Sequence, residues 1–443
     1  MSAHHDAKPL PLQVIGGLEA YSSLSGNALY PSPERNPERL SPYARVGHSP
    51  TFTIDQSDKV YAIGSCFARE IEKALSRAGL DVLSLAPRHT GEGKRHQHVV
   101  NNYNPCAVRQ DLEFALDGKP GADGFAVNID AAERRWANYA LGGGDALKTG
   151  SREEVLAAHE RVLAAHRTIP QCKLVVLTLG LVETWFDRQT GHYLNIAPHR
   201  PAVKQHPGRF EMHVLSYDQI LAELNTIRDL LKRHAEVDQQ MLLTVSPVPL
   251  HATFRDQDVL QANAYSKAVL RAAAEAFVLS RDDVTYFPSF EFVSSTDRSR
   301  AFGSKDFRHV NSAMVDVIME STLRNYVIDH PPTKTEALSL LKNGEYRTLA
   351  DALTKAVRQG AKIPTFLRYY GGTAMMKRGM REEALEHLSS VADEMPKHYA
   401  ARMLIAEMLL EKGDDARARE VMAEIPEDYA PADALRKRLA VDA

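Results

Sequence analysis

Ser65, Asp306 and His309 have the residue types and neighbours that nucleophilic chemistry needs. Ser65 stands in Tyr61-Ala62-Ile63-Gly64-Ser65-Cys66-Phe67-Ala68-Arg69-Glu70, where an apolar run meets a Gly-Ser step. Beyond it, Phe67, Ile71, Ala74, Leu75 and Ala78 recur at three- and four-residue spacing, which predicts a helix. The order is that of a buried strand, a tight turn and a helix N-terminus. Gly64 removes the Cβ that would obstruct such a turn. Ser65 then sits where its hydroxyl can face a cleft, beside N–H groups that no helical carbonyl claims. An attack from there creates an oxyanion that such donors can hold. The same position also suits a Ser that only caps the helix. Far downstream, Ser304-Lys305-Asp306-Phe307-Arg308-His309-Val310-Asn311 offers a base. An Asp three residues before a His can put both side chains on one side of a loop or first helical turn. The His can then take the serine proton while the Asp holds its tautomer and orientation.

Together these stretches resemble the GSCFA family, which belongs with the SGNH/GDSL ester hydrolases. Gly64-Ser65-Cys66-Phe67-Ala68 is the family's name-giving motif, and Asp306-x-x-His309 matches the Asp-x-x-His that ends SGNH catalytic domains. Asn102-Tyr103-Asn104-Pro105, Thr178-Leu179-Gly180, Thr244-Val245-Ser246-Pro247-Val248 and Phe287-Pro288-Ser289-Phe290-Glu291 are similar to further family blocks, in family order. The resemblance covers roughly residues 50–330. It implies an ester hydrolase with Ser65 as nucleophile, His309 as general base and Asp306 as its orienting partner. The implied substrate is an acylated small molecule or saccharide, with deacetylation of a carbohydrate as one form. Transfer of the acyl group to a sugar hydroxyl would make the same residues an O-acyltransferase. The resemblance also places Asn104 near the nucleophile, where a side-chain amide can donate to an oxyanion; equally, Asn104 and Pro105 can simply start the next helix. SGNH relatives commonly carry Gly-x-Asn-Asp where this chain has Gly180-Leu181-Val182-Glu183, so that Asn is absent. The expected oxyanion donors are therefore the Ser65 N–H, Asn104 and the Gly180 region. Glu183 and Trp185, just past the end of a buried strand, are candidates to line the cleft, with packing an equal reading for Trp185. Cys66, one step into the helix, is expected to point away from Ser65 and to pack. No aromatic platform for a saccharide is evident.

The elements that must position these residues alternate. Strands are expected at Val60–Ile63, Asp81–Leu85, Lys173–Gly180, Gln240–Val245 and Val284–Phe287. Helices are expected at Glu153–His166, Tyr217–Ala235, Leu260–Phe277 and Asn311–Tyr326. That order predicts an α/β domain with a doubly wound, SGNH-like parallel sheet. Residues Gly191–Arg209, with three prolines, read as one long loop over the sheet edge. His89, His96 and His98 match no compact ligand set with a carboxylate or thiolate, so no metal site and no cofactor is expected.

A chain of 443 residues is long for one domain. The expected division is an irregular, proline-rich arm at 1–50, a hydrolase domain at 51–330 and an all-α helical repeat domain at 333–443. Gly379 and Gly413 are 34 residues apart, as are Ala384 and Ala418. Around them Gly372, Leu388 and Pro396, then Ala406 and Met422, fall where tetratricopeptide repeats place small, bulky and Pro residues. A weaker unit turns at Lys342-Asn343-Gly344-Glu345, with Leu349 in place of a small residue. Such an array suggests a protein partner or self-association through 333–443, and with it a rival reading as a non-catalytic adaptor. The formal net charge of -3 gives no electrostatic reason to expect nucleic acid. No apolar stretch reaches membrane-spanning length. Three cysteines and an N-terminus without a signal-like apolar run lead to the expectation of a cytoplasmic protein.

Overall fold

The structure, a computed structural model, describes residues 11–24, 26–88, 101–130, 132–142, 149–304, 306–328, 332–358 and 363–441. The chain forms two compact units. One comprises Met1–Phe52, Val60–Ile71 and Leu83–Ile318; the other comprises Thr53–Lys59, Glu72–Val82 and Met319–Ala443. The boundary thus differs from one drawn at a single point near residue 330. The reason is backbone pairing. The Ile54 N–H donates to the Tyr326 carbonyl at 2.8 Å and the Ile54 carbonyl accepts from the Ile328 N–H at 2.9 Å, which ties an early segment to the end of helix Ser312–Tyr326.

The first unit is built on parallel strands β1 (Lys59–Gly64), β5 (Leu174–Leu179), β9 (Gln240–Val245) and β10 (Val284–Tyr286). They stand in the order β10-β9-β5-β1, every neighbouring pair parallel. Tyr61 lies level with Val175 and Met241, and Ile63 level with Leu177 and Leu243. These odd-numbered side chains form one core with Ile220, Leu224 and Leu231 of helix Tyr217–His234 and Leu270, Ala274 and Phe277 of helix Val259–Leu279. All six residues of β5 are buried, which is why that strand reads as an uninterrupted apolar run. The sequence expectation of a parallel sheet flanked by helices holds.

Two local expectations fail. The strand expected at Asp81–Leu85 is only β2 (Asp81–Val82), after which Leu83–Arg88 turn into 3-10 helix. The long loop expected at Gly191–Arg209 contains regular pieces, a strand and a short helix. β6 (Glu183–Asp187) pairs antiparallel with both β7 (His192–Leu194) and β8 (Phe210–Val214), and a short helix, Arg200–Gln205, lies between the last two. Asp187 is fully buried against Arg209, whose guanidinium donates to it at 2.6 Å, and this pair closes the ribbon. A further hairpin, β3 (Ala126–Asp130) with β4 (Arg135–Asn138), carries no alternation strong enough to announce it. Within 11–50 the regular pieces are helix Gly17–Ser22 and two single 3-10 turns. The arm ends docked, because the Ala44 N–H donates to Thr296 Oγ1 at 2.8 Å.

The second unit is all helical from Met319 onward, with helices Lys334–Lys342, Tyr346–Arg358, Thr365–Lys377, Arg381–Glu394, Tyr399–Glu411, Asp415–Ala423 and Asp433–Val441. Gly344, Gly379 and Gly413 all have positive φ and all close the same motif. In each, the Gly N–H returns to the carbonyl three residues back and the next N–H to the carbonyl five back from itself, a Schellman ending that needs the left-handed conformation. The unit read as degenerate is therefore turned in the same way as the two clear ones. A Cβ on Gly372 would stand 3.2 Å from Leu388, so the small residue there sets how closely the paired helices pack. Ala384, Ala406 and Ala418 are fully buried in the same core. Among the described residues no helix is long and apolar enough to cross a membrane.

Candidate active site

The end of β1 and the end of β5 meet around Gly64. Its φ is +130°, and a Cβ there would fall 2.2 Å from the Thr178 carbonyl oxygen, so no other residue fits without moving the strand. Two hydrogen bonds lock the turn. The Ser65 N–H donates to the Thr178 carbonyl at 3.2 Å, and the Gly64 carbonyl accepts from the Asn102 N–H at 2.9 Å. Ser65 then begins helix Cys66–Arg77. Its hydroxyl is buried, has no hydrogen-bond partner among the described residues, and borders a cavity of about 580 Å³.

His309 borders the same cavity from the other side. Phe307 has φ +51°, and this curls the loop so that Asp306 Oδ1 accepts from the N–H of Arg308 at 3.0 Å and of His309 at 3.1 Å. Asp306 Oδ2 meets His309 Nδ1 directly. Those two backbone donors and the imidazole hold the Asp306 carboxyl well below the usual carboxylate range. With Nδ1 engaged, Nε2 is the nitrogen left to face a substrate or Ser65. The structure thus brings Ser65 and His309 to one cavity, with a hydrogen bond joining Asp306 to the His and none between the His and Ser65. The His309 side chain is 64 % exposed.

The expected oxyanion donors are placed differently. Asn104 caps helix Pro105–Leu116: its Oδ1 accepts from the Ala107 N–H at 2.8 Å, and its Nδ2 donates to the Leu194 carbonyl at 3.1 Å. Both ends of the amide are committed, so the helix-start reading prevails at this position. The Ser65 N–H is likewise engaged with Thr178. Two other asparagines border the cavity, Asn195, whose amide is engaged at both ends, and Asn101. The Asn101 Oδ1 is buried without a partner, and its Nδ2 has only a 3.4 Å contact to the Tyr103 hydroxyl. Gly180 lies against Ser65: a Cβ there would stand 3.2 Å from Ser65 Cβ and 2.5 Å from the Tyr103 carbonyl oxygen.

Supports around the cavity were not legible. Asn195 takes the Tyr103 N–H at 2.7 Å and donates to the carbonyls of Asn101 and Ala140, pinning the loop over Gly64. Asn102 donates to Asp111 at 2.8 Å, and Asp111 contacts His159 at 3.1 Å in the buried interior. Lys267, buried on helix Val259–Leu279, donates to the Gly180 carbonyl at 2.8 Å, and its burial pushes the amine down to about 7.

Glu183 and Trp185 both border the cavity. Glu183 Oε1 accepts from the Thr253 hydroxyl at 2.7 Å and Oε2 from the Phe254 N–H at 3.1 Å. It thereby holds Phe254 edge-on to Trp185, ring centroids 5.1 Å apart. An aromatic wall does exist, then, assembled from residues 69 apart in sequence, which no local pattern could announce. Cys66 also corrects its expectation, for it borders the cavity beside Ser65 rather than pointing away. Burial pushes its thiol up, which disfavours the thiolate that a nucleophilic cysteine requires. Arg308 borders the cavity as well and stood inside the Asp-x-x-His stretch all along. His89, His96 and His98 lie outside the described residues; among the described residues no three His, Cys, Asp or Glu side chains group to hold a metal.

The model of the GSCFA family matches residues 59–321, more than half of the chain, and a tetratricopeptide repeat model matches residues 375–439. No curated protein matches the chain.

Proposed function

Since this chain belongs to the GSCFA family, we propose that its first unit is a serine ester hydrolase acting on an acylated small molecule or saccharide. The observation that carries this reading is the buried, unpartnered Ser65 hydroxyl in one cavity with an Asp306-held His309. In the proposed reaction Ser65 Oγ bonds to the acyl carbon while its proton passes to His309 Nε2. The carbonyl oxygen takes the electron pair and its charge is met by donors at the wall: the Asn101 amide, the first free N–H groups of helix Cys66–Arg77 and the Gly180 peptide. Collapse expels the alcohol, which takes the proton from His309. Water, or a sugar hydroxyl in an acyltransferase, then repeats the sequence on the acyl-enzyme. Asp306 balances the imidazolium at each step. The Trp185–Phe254 pair supports a sugar ring or an apolar acyl group as the occupant of the cavity.

The test is a fluorophosphonate label on the full chain, located by mass spectrometry. Labelling is expected at Ser65 and is expected to vanish in Ser65→Ala. Asn101→Ala should slow it by about tenfold or more, the usual effect of losing an oxyanion donor, whereas Asn104→Ala should chiefly lower helix stability by about 1 kcal/mol. Label on another residue, or on none, would refute the hydrolase reading.

The tetratricopeptide match favours a second role for the other unit, binding a protein segment or a second copy of the chain. It stands beside the hydrolase reading, because the candidate catalytic residues all lie in the first unit.

A further inference from the structure

Arg308 carries a charge that has no counter-ion among the described residues. Its guanidinium borders the cavity of Ser65 and His309. One terminal nitrogen donates to the Pro249 carbonyl and the other faces His251 Nδ1, each at 3.3 Å. These are long contacts to a carbonyl oxygen and an imidazole nitrogen, neither of which is a counter-ion. The Nε–H is buried and has no acceptor at all among the described residues. No described carboxylate forms an ion pair with this side chain, although two stand nearby in sequence or space. Asp306 spends its oxygens on the N–H groups of Arg308 and His309 and on the imidazole. Glu183, at the aromatic wall, spends both of its oxygens on Thr253 and Phe254. A guanidinium cannot shed its proton at any working pH, and a partly desolvated charge with open donors costs free energy unless an anion meets it. Its planar fork matches a carboxylate or phosphate, which accepts two parallel hydrogen bonds.

We propose that Arg308 binds an oxyanion group, carboxylate or phosphate, on the substrate whose ester Ser65 attacks. The proposal rests on the hydrolase reading and narrows it: the substrate is acidic, an acylated saccharide or similar alcohol carrying a carboxylate or phosphate within reach of the scissile bond. The aromatic pair Trp185–Phe254 would flank the ring, Arg308 would hold the anion, and together they would set the ester over Ser65. A neutral ester of the same size would lack the second anchor. The distinction matters because specificity is strongest where a buried polar group is left unpaired by the wrong ligand.

The test titrates sodium phosphate and sodium succinate, separately and at fixed ionic strength, into the full-length chain by calorimetry. At least one anion should bind the wild type. Binding to Arg308→Gln should be at least about tenfold weaker, the usual reach of a charge-assisted bidentate contact. Arg308→Lys, which keeps the charge but loses the fork, should lie between them and serves as the variant if Arg308→Gln does not fold. Which anion binds separates a phosphate from a carboxylate source. The bound anion should also slow fluorophosphonate labelling of Ser65 in proportion to its occupancy. Equal binding by wild type and both variants, binding of neither anion, or binding that leaves Ser65 labelling unchanged would overturn the proposal. Complete absence of labelling would instead strike the nucleophile reading, and the titration would still decide the anion site by itself.

Discussion

Ser65 stands on backbone held from three sides, whereas His309 stands on a loop that holds mainly itself. Around Ser65, the Ser65 N–H donates to the Thr178 carbonyl, the Asn102 N–H donates to the Gly64 carbonyl, and Lys267 donates to the Gly180 carbonyl. All these residues are buried. Around His309, most of the polar contacts come from Asp306, three residues away, and both side chains reach solvent. The difference separates two tasks. A nucleophile must be fixed against the point where charge develops, since an oxyanion site acts through preorganisation. A base must deliver and recover a proton, and a loop anchored by local bonds can adjust to each position of the acyl group. In the proposed reaction, the step that would complete the site is the approach of His309 to a preset Ser65.

The largest effect should come from breaking the fixed side. Gly64→Ala places a methyl group 2.2 Å from the Thr178 oxygen at a φ of +130°. It is expected to destabilise the first unit by about 3 kcal/mol or more and to abolish Ser65 labelling, as measured by chemical denaturation beside the labelling assay. Unchanged stability would show that the turn yields and that the nucleophile is not preset.

On the loop side the expectation is reversed, with large loss of rate and little loss of stability. Asp306→Asn should lower ester turnover by about 10²- to 10⁴-fold, with a melting temperature close to wild type because the carboxylate is solvent-facing. The signs with pH are separable. Asp306 is held ionised far below the usual carboxylate range, so the stability it contributes is present above that range and is lost only as pH falls towards the depressed value. It therefore adds no limb to a rate profile near neutrality. A rate limb that persists in His309→Ala would assign the base elsewhere.

The smallest expected effect sharpens the comparison through Lys267. Its amine is depressed from 10.5 to about 7 by burial. Between those values the unfolded chain binds a proton that the folded chain does not, so this group makes stability rise with pH, by about 1 kcal/mol per unit. Below about 7 both states are protonated and the slope ends. The thiol of Cys66, raised by burial, acts in the opposite sense, so the readout is a difference. Wild type should gain stability from pH 7 to pH 9 relative to Lys267→Met. Parallel curves would mean that the amine is not buried behind Gly180.

The parts of this design that a sequence can show are those in which neighbours along the chain decide the outcome. The Gly64-Ser65 step, the Asp306-x-x-His309 pair and the 34-residue spacing of Gly379 and Gly413 are local patterns with local causes: one missing Cβ, one short loop, one recurring helix ending. Even so, Asn104 and Asn101 look alike in one dimension. Only the capped helix at Pro105 and the bridge between Gly64 and Asn101 decide which amide borders the cavity.

From residue order alone follow the strand, turn and helix around Ser65, the loop that pairs Asp306 with His309, the alternation of strands and helices, and the helical repeats. These depend on periodicity, on glycine stereochemistry and on spacing, all properties of short stretches. Tertiary structure alone decided that Glu183 would serve the Thr253–Phe254 loop, that Trp185 and Phe254 would form a wall, that Lys267 would hold Gly180, and that Arg308 would border the cavity with no counter-ion among the described residues. The physical reason is that a buried charge or amide takes its role from whichever partners the packed chain brings within about 3 Å, and those partners lie tens of residues away in sequence.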